Sequence, residues 1–172
     1  LVEFATSAVM MILLLFGLID FAVPIYYRLV MIDVSREGSN LAARGPGSTQ
    51  DEAVSNALSA VMAASSPLLI MGKSTDMGQG RIYISAVVAS SGVYRVTSQS
   101  TTGGLTTTYA PSKINNGTGR MTGKLPTTTP QIPSGNKTLY VTEVYYQYKP
   151  AAPLGKMVNF LITTQLYDAA YF

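Results

Sequence analysis

Two carboxylates in this chain stand where carboxylates are costly. Glu3 opens a run with no further charge from Phe4 to Ile19 (FATSAVMMILLLFGLI), and Asp20 interrupts it before FAVPIYY continues to Arg28. An ionised carboxylate in apolar surroundings must be paired or protonated, and ionisable groups in membrane-like segments are functional by default. The chemistry open to Glu3 is therefore electrostatic: holding a cation and fixing the register of whatever brings it. Side chains on one helix meet at spacings of three or four residues. Arg28, eight positions after Asp20, is thus a marginal partner within the chain, which leaves a group from another chain, or water near Pro24, as the alternatives for Asp20.

Catalysis is poorly provided for. The chain has no His and no Cys, which removes the commonest metal ligands, the thiol nucleophile and the usual neutral-pH base. Beyond residue 50 the acids are Asp51, Glu52, Asp76, Glu143 and Asp168, with no paired-carboxylate motif, and Gly78-Gln79-Gly80 and Gly103-Gly104 read as turns. The expectation is a protein with no enzymatic activity, no cofactor and no metal. Its basic residues are scattered singly, without the patch or stripe of a nucleic-acid surface. Asn116-Gly117-Thr118 and Asn136-Lys137-Thr138 match the N-glycosylation acceptor pattern, making Asn116 and Asn136 candidate modification sites.

The elements that must position these groups follow from hydrophobic period and punctuation. About 20 apolar residues cross a bilayer core, so Phe4 to Tyr27 is long enough to span, and it is apolar all round the helix. The run has neither the basic start nor the small-residue cleavage site of a secretory leader and is expected to remain in the working protein. Leu29, Val30, Ile32 and Val34 prolong the helix while Arg28, Asp33, Arg36 and Glu37 bring in charge, and Gly45-Pro46 stops it. A helix from residue 3 to 44 is about 60 Å long. Pro24 removes the donor to the Asp20 carbonyl, which predicts a kink or an unwound turn at 20–24, or an extensible joint.

A second helix over 50–65 follows from the capping box Thr49-Gln50-Asp51-Glu52 and the apolar face Ala53, Val54, Ala57, Leu58, Val61 and Met62. Arg81–Ala89 and Val93–Ser100 read as a hairpin around Ser90-Ser91-Gly92, and Leu139–Lys149 and Met157–Tyr167 as two further strands. The expected fold class is α+β: a long N-terminal helix over 1–46, then a head over 47–172 in which a short helix covers an antiparallel sheet. Residues 101–138, rich in Thr, Ser and Gly, are expected to form an exposed loop.

The N-terminal residues resemble TadE-like pilins, a branch of the type IV pilin-like superfamily. Val2-Glu3-Phe4 before the apolar run, Gly17 with Asp20-Phe21, Ser35-Arg36-Glu37-Gly38 and Ala42-Ala43-Arg44 carry the likeness, with Val144-Tyr145-Tyr146-Gln147-Tyr148-Lys149-Pro150 similar to a strand end near the family's C-terminus. The resemblance implies a subunit cut by a prepilin peptidase, held in the inner membrane with its head outside, and drawn by the pilus assembly machinery into an extracellular helical homopolymer serving surface attachment. A single-pass minor pilin or pseudopilin that helps initiate or tip another filament is the alternative. Leu1, Glu3, Phe4, Asp20, Pro24 and Arg28 are then the residues expected at contacts between identical subunits, with Glu3 matching the family's glutamate near the mature N-terminus and pairing with a neighbour's terminal amine.

Overall fold

A computed structural model describes residues 2–45, 47, 49–66, 68, 78–90, 93–115, 137–149 and 164–172. Six elements follow in order: α1 (Val2–Arg44), α2 (Gln50–Ala64), β1 (Gly78–Ser90), β2 (Val93–Gly103), β3 (Thr138–Tyr148) and β4 (Gln165–Tyr171). The strands form one antiparallel sheet in the order β2-β1-β3-β4, with α1 and α2 against it. The architecture is α+β, as the sequence predicts.

α1 runs for 43 residues, about 65 Å at 1.5 Å per residue, and stays helical through Pro24. No turn is unwound at 20–24. The face bearing Asp20, Pro24 and Tyr27 is buried, so packing holds the helix where proline removes a backbone bond. At the far end Gly45 N–H donates to the Leu41 carbonyl, closing the last turn where Gly-Pro was expected to stop it. α2 begins as its capping box requires, with Thr49 Oγ1 accepting from the Glu52 N–H at 3.3 Å. Its buried residues, Ala53, Val54, Ala57 and Val61, recur at helical spacing.

The alternation of β3 sorts the head into two layers. Val144, Tyr146 and Tyr148 join Ile82, Ile84 and Ala86 of β1 beneath the helices, in a core that also takes in Tyr27, Met31, Val34 and Ala42 of α1. The other face carries Val141, Glu143 and Tyr145, and there residues 104–115 fold back over the sheet. Leu105 and Ile114 are buried in their own head, against the expectation of an exposed loop at this point. The cause is polar satisfaction: the segment reaches partners that let its backbone be covered (below). Residues 116–136, with Asn116 and the acceptor Asn136, lie outside the described residues.

The hairpin β1–β2 forms as read, with a register shift at Ala86/Val87. Gly103 ends β2 at φ 136°, where a Cβ would come within 2.4 Å of the Gly80 carbonyl oxygen, and the chain turns there toward Leu105. The last strand differs from the expected Met157–Tyr167: β4 is Gln165–Tyr171, and residues 157–163 lie outside the described residues. Its register sets Tyr167 opposite Tyr145 and Tyr171 opposite Val141, and carries Asp168 toward α1.

Candidate assembly site

From Val2 to Ile19, no residue of α1 is buried. Val2, Phe4, Met10, Met11, Leu14 and Leu18 are each more than two-thirds exposed. The polar residues in this stretch are satisfied locally: Thr6 and Ser7 donate their hydroxyls to the Glu3 carbonyl at 2.9 Å. Such back-bonding hides polar groups without a tertiary partner. What remains is an apolar rod with Glu3 near its tip. The helix is long and apolar enough to cross a membrane, with a mean hydropathy of 2.5 over its best window.

The change comes at Asp20. It is 1% exposed, and it begins a buried stripe (Asp20, Pro24, Tyr27, Met31, Val34, Ser35, Gly38, Ser39, Ala42) that runs to the end of α1. Spacings of three, four and seven put these residues on one face. Arg28 is exposed and off the stripe. The site residues named from sequence thus fall into two groups. Glu3 and Phe4 lie on the bare rod and Arg28 on the open side of the helix, whereas Asp20 and Pro24 belong to the joint between helix and head. Leu1 lies outside the described residues.

At that joint Tyr27 stacks edge-on with Tyr146 (ring centroids 5.0 Å apart) and with Tyr148 (6.1 Å), a favoured aromatic geometry. Higher up, the contact depends on small residues. A Cβ at Gly38 would meet Thr142 Oγ1 at 2.7 Å and Cγ2 at 2.8 Å, so the helix reaches the sheet only because position 38 has no side chain. Next to it Ser39 Oγ accepts from the Thr142 N–H (3.1 Å) and donates to the Ala170 carbonyl (2.9 Å), and the Ser35 hydroxyl donates to the Asp168 carboxylate. Ser35-Arg36-Glu37-Gly38 therefore has a physical reading: its first and last residues face the sheet while Arg36 and Glu37 point away into solvent. The family described as TadE-like protein matches residues 1–40, a stretch that contains the bare rod and most of the buried stripe. No curated protein and no solved structure matches the chain.

The outer face of the sheet holds the residue that sequence reasoning passed over. Glu143 is fully buried, and its carboxylate accepts from the Lys113 N–H (2.8 Å), the Ser112 hydroxyl and the Tyr167 hydroxyl (3.1 Å). Tyr83 and Tyr145 donate to the carbonyls of Ala110 and Pro111, both at 2.6 Å, and Arg81 donates to the carbonyls of Leu105 and Gly103. These groups fasten residues 104–115 to β1 and β3. Burial, reinforced by the Glu143 charge, raises the Tyr145 and Tyr167 hydroxyls well above the ordinary tyrosine range, so both remain donors. The Lys113 ammonium lies 3.5 Å from the centre of the Tyr167 ring, adding a cation–π contact. The signal was present in LYVTEVYYQYK, where a glutamate stands at an odd position between the apolar Leu139 and Val141 on one side and Tyr145 on the other. A cleft beside this network, lined by Tyr83, Gln99, Ser112 and Asn115 among others, has its polar groups engaged internally: Gln99 donates to Ser85 and Ser112 and accepts from Asn115. No group of three or more His, Cys, Asp and Glu that could hold a metal occurs among the described residues.

Proposed function

We propose that this chain is a structural subunit of a Tad-like, type IV-like pilus, polymerising through its apolar N-terminal helix into an extracellular filament that serves surface attachment. A TadE-like N-terminal segment and an anchor-like helix fit a pilus-related, pilin-like protein. The observation that carries the finer reading is the contrast along α1. No residue of Val2–Ile19 is buried, whereas the core of the head is built, among the described residues, from the second half of α1, α2 and the sheet. A helix apolar on every side is stable only when buried by lipid or by other helices, and a subunit that passes from inner membrane to filament exchanges one cover for the other. The partners in this reading are identical subunits, the prepilin peptidase that releases the mature end and the machinery that extracts it.

Glu3, exposed near the tip of the rod, has the position to pair with a neighbour's terminal amine, which offsets the cost of burying its charge and fixes axial register. The test is Glu3→Ala, followed by electron microscopy of sheared surface material and immunoblotting of the membrane fraction. The expected outcome is subunit of normal abundance and fold in the membrane, with filament mass reduced roughly tenfold or more because the buried contact is lost. Normal filament yield from the variant would overturn the pairing. Absence of filaments made of this chain in the parent strain would leave the minor pilin or pseudopilin reading.

A further inference from the structure

Just above the bare rod, α1 has two unlike sides. One carries Asp20, Pro24 and Tyr27 into the head. The other exposes Phe21 (49%), Ile25 (62%), Tyr26 (53%) and Leu29 (58%), with Arg28 open beside them. These residues continue the apolar surface of the rod without a break, although here the head already occupies the opposite side.

The dimensions indicate what covers them. Glu3 and Asp20 bracket an uncharged run, Phe4–Ile19, of 16 residues, about 24 Å, which takes up most of the ~30 Å hydrocarbon core; Phe21–Leu29 continues it by nine residues, about 13 Å, on the head side. With Asp20 near the core boundary, Phe21–Leu29 runs from that boundary out through the headgroup layer. Its chemistry suits that depth: Tyr is enriched at the interface, and Arg buries its stem while its guanidinium meets phosphate. The side chains are also large, whereas helix–helix seams in membranes favour small residues that let backbones approach.

We infer that the open side of Phe21–Leu29 is a phospholipid-contact face on which the head of the anchored chain rests, with Tyr26 and Arg28 in the headgroup layer. Asp20 is then screened from lipid by the head itself, because it sits at the boundary of the core but faces into the fold. The inference rests on membrane anchoring and not on filament formation.

The chain has no Trp, so a single introduced one reports alone. Full-length Leu14→Trp and Tyr26→Trp variants are reconstituted in vesicles of phosphatidylethanolamine and phosphatidylglycerol brominated either near the headgroups or deep in the chains. The expected result is deep quenching for Leu14→Trp and shallow quenching for Tyr26→Trp, with Arg28→Glu shifting the second signal toward the aqueous spectrum. Ile25→Trp repeats the measurement at a position that does not adjoin Tyr27. If Leu14→Trp is quenched but the tryptophans at 25 and 26 emit as in water, the lipid face is overturned and anchoring stands. If none is quenched, both fail. Tryptophans at 25 and 26 shielded from bromine and from aqueous iodide alike would assign the face to a second copy of the chain and overturn the inference.

Discussion

The two halves of α1 are one continuous helix, yet they solve the burial of apolar surface in opposite ways. From Val2 to Ile19 no residue is buried and most of the apolar side chains are large and exposed, so any apolar medium can cover them. From Asp20 to Arg44 one face is committed to a particular sheet, by a hydroxyl that bonds two strands and by a glycine that a methyl group would displace. The first half is unspecific in its partner and the second is a fitted joint. Apolar content alone thus does not say what a helix packs against; the size and polarity of the residues along the contact do.

Substitutions matched between the halves put this contrast to the test. Met31→Ala deletes a fully buried side chain of the head core and is expected to cost about 2–5 kcal/mol of head stability, whereas Met11→Ala, 72% exposed in the parent, leaves it unchanged. Urea unfolding of the detergent-solubilised chain checks both; equal losses would abolish the distinction. Next in size is the glycine pair. Gly38→Ala drives a methyl group into Thr142 and is expected to destabilise the head by about 1–3 kcal/mol, while Gly17→Ala, with nothing within 4 Å, gains up to about 1 kcal/mol of helix propensity. Melting temperatures moving in opposite directions are the sign to look for. The smallest effect is expected from removing residues 1–19: the fragment keeps the whole buried stripe and, in the same detergent, should fold with a urea midpoint close to that of the parent head. An unfolded fragment would mean that the bare rod is part of the core after all.

Much of this was legible because it is local. The span of α1, the capping box of α2 and the hairpin β1–β2 each depend on residues a few positions apart, and each appears where period and punctuation place it. The last strand was placed too early at its C-terminal end, because its extension to Tyr171 is decided by pairing with Tyr145 and Val141 and by Ser35, far away in the chain. The covering segment 104–115 was missed for the same reason. Its composition predicts exposure, and the partners that let it close, the Glu143 carboxylate on β3 with the Tyr83, Tyr145 and Arg81 donors, lie far away in the chain. In the first half of α1, the exposed apolar run with Glu3 near its start could be read directly. That Asp20 and Pro24 face the head could not, since periodicity gives a residue's face and not what lies across from it.

The joint at Ser35 and Ser39 also orders events in time. Its partners on β4, Asp168 and Ala170, lie 133 and 131 residues later in the chain. At 5–20 residues per second, synthesis separates the two sides of that joint by roughly ten seconds. Throughout that interval α1 is complete while the sheet it docks on lacks an edge strand. A helix that enters a bilayer during synthesis therefore does so before the head closes, and a factor that holds Met31, Val34 and Ala42 out of water in the meantime would act on the nascent chain, not on the finished subunit.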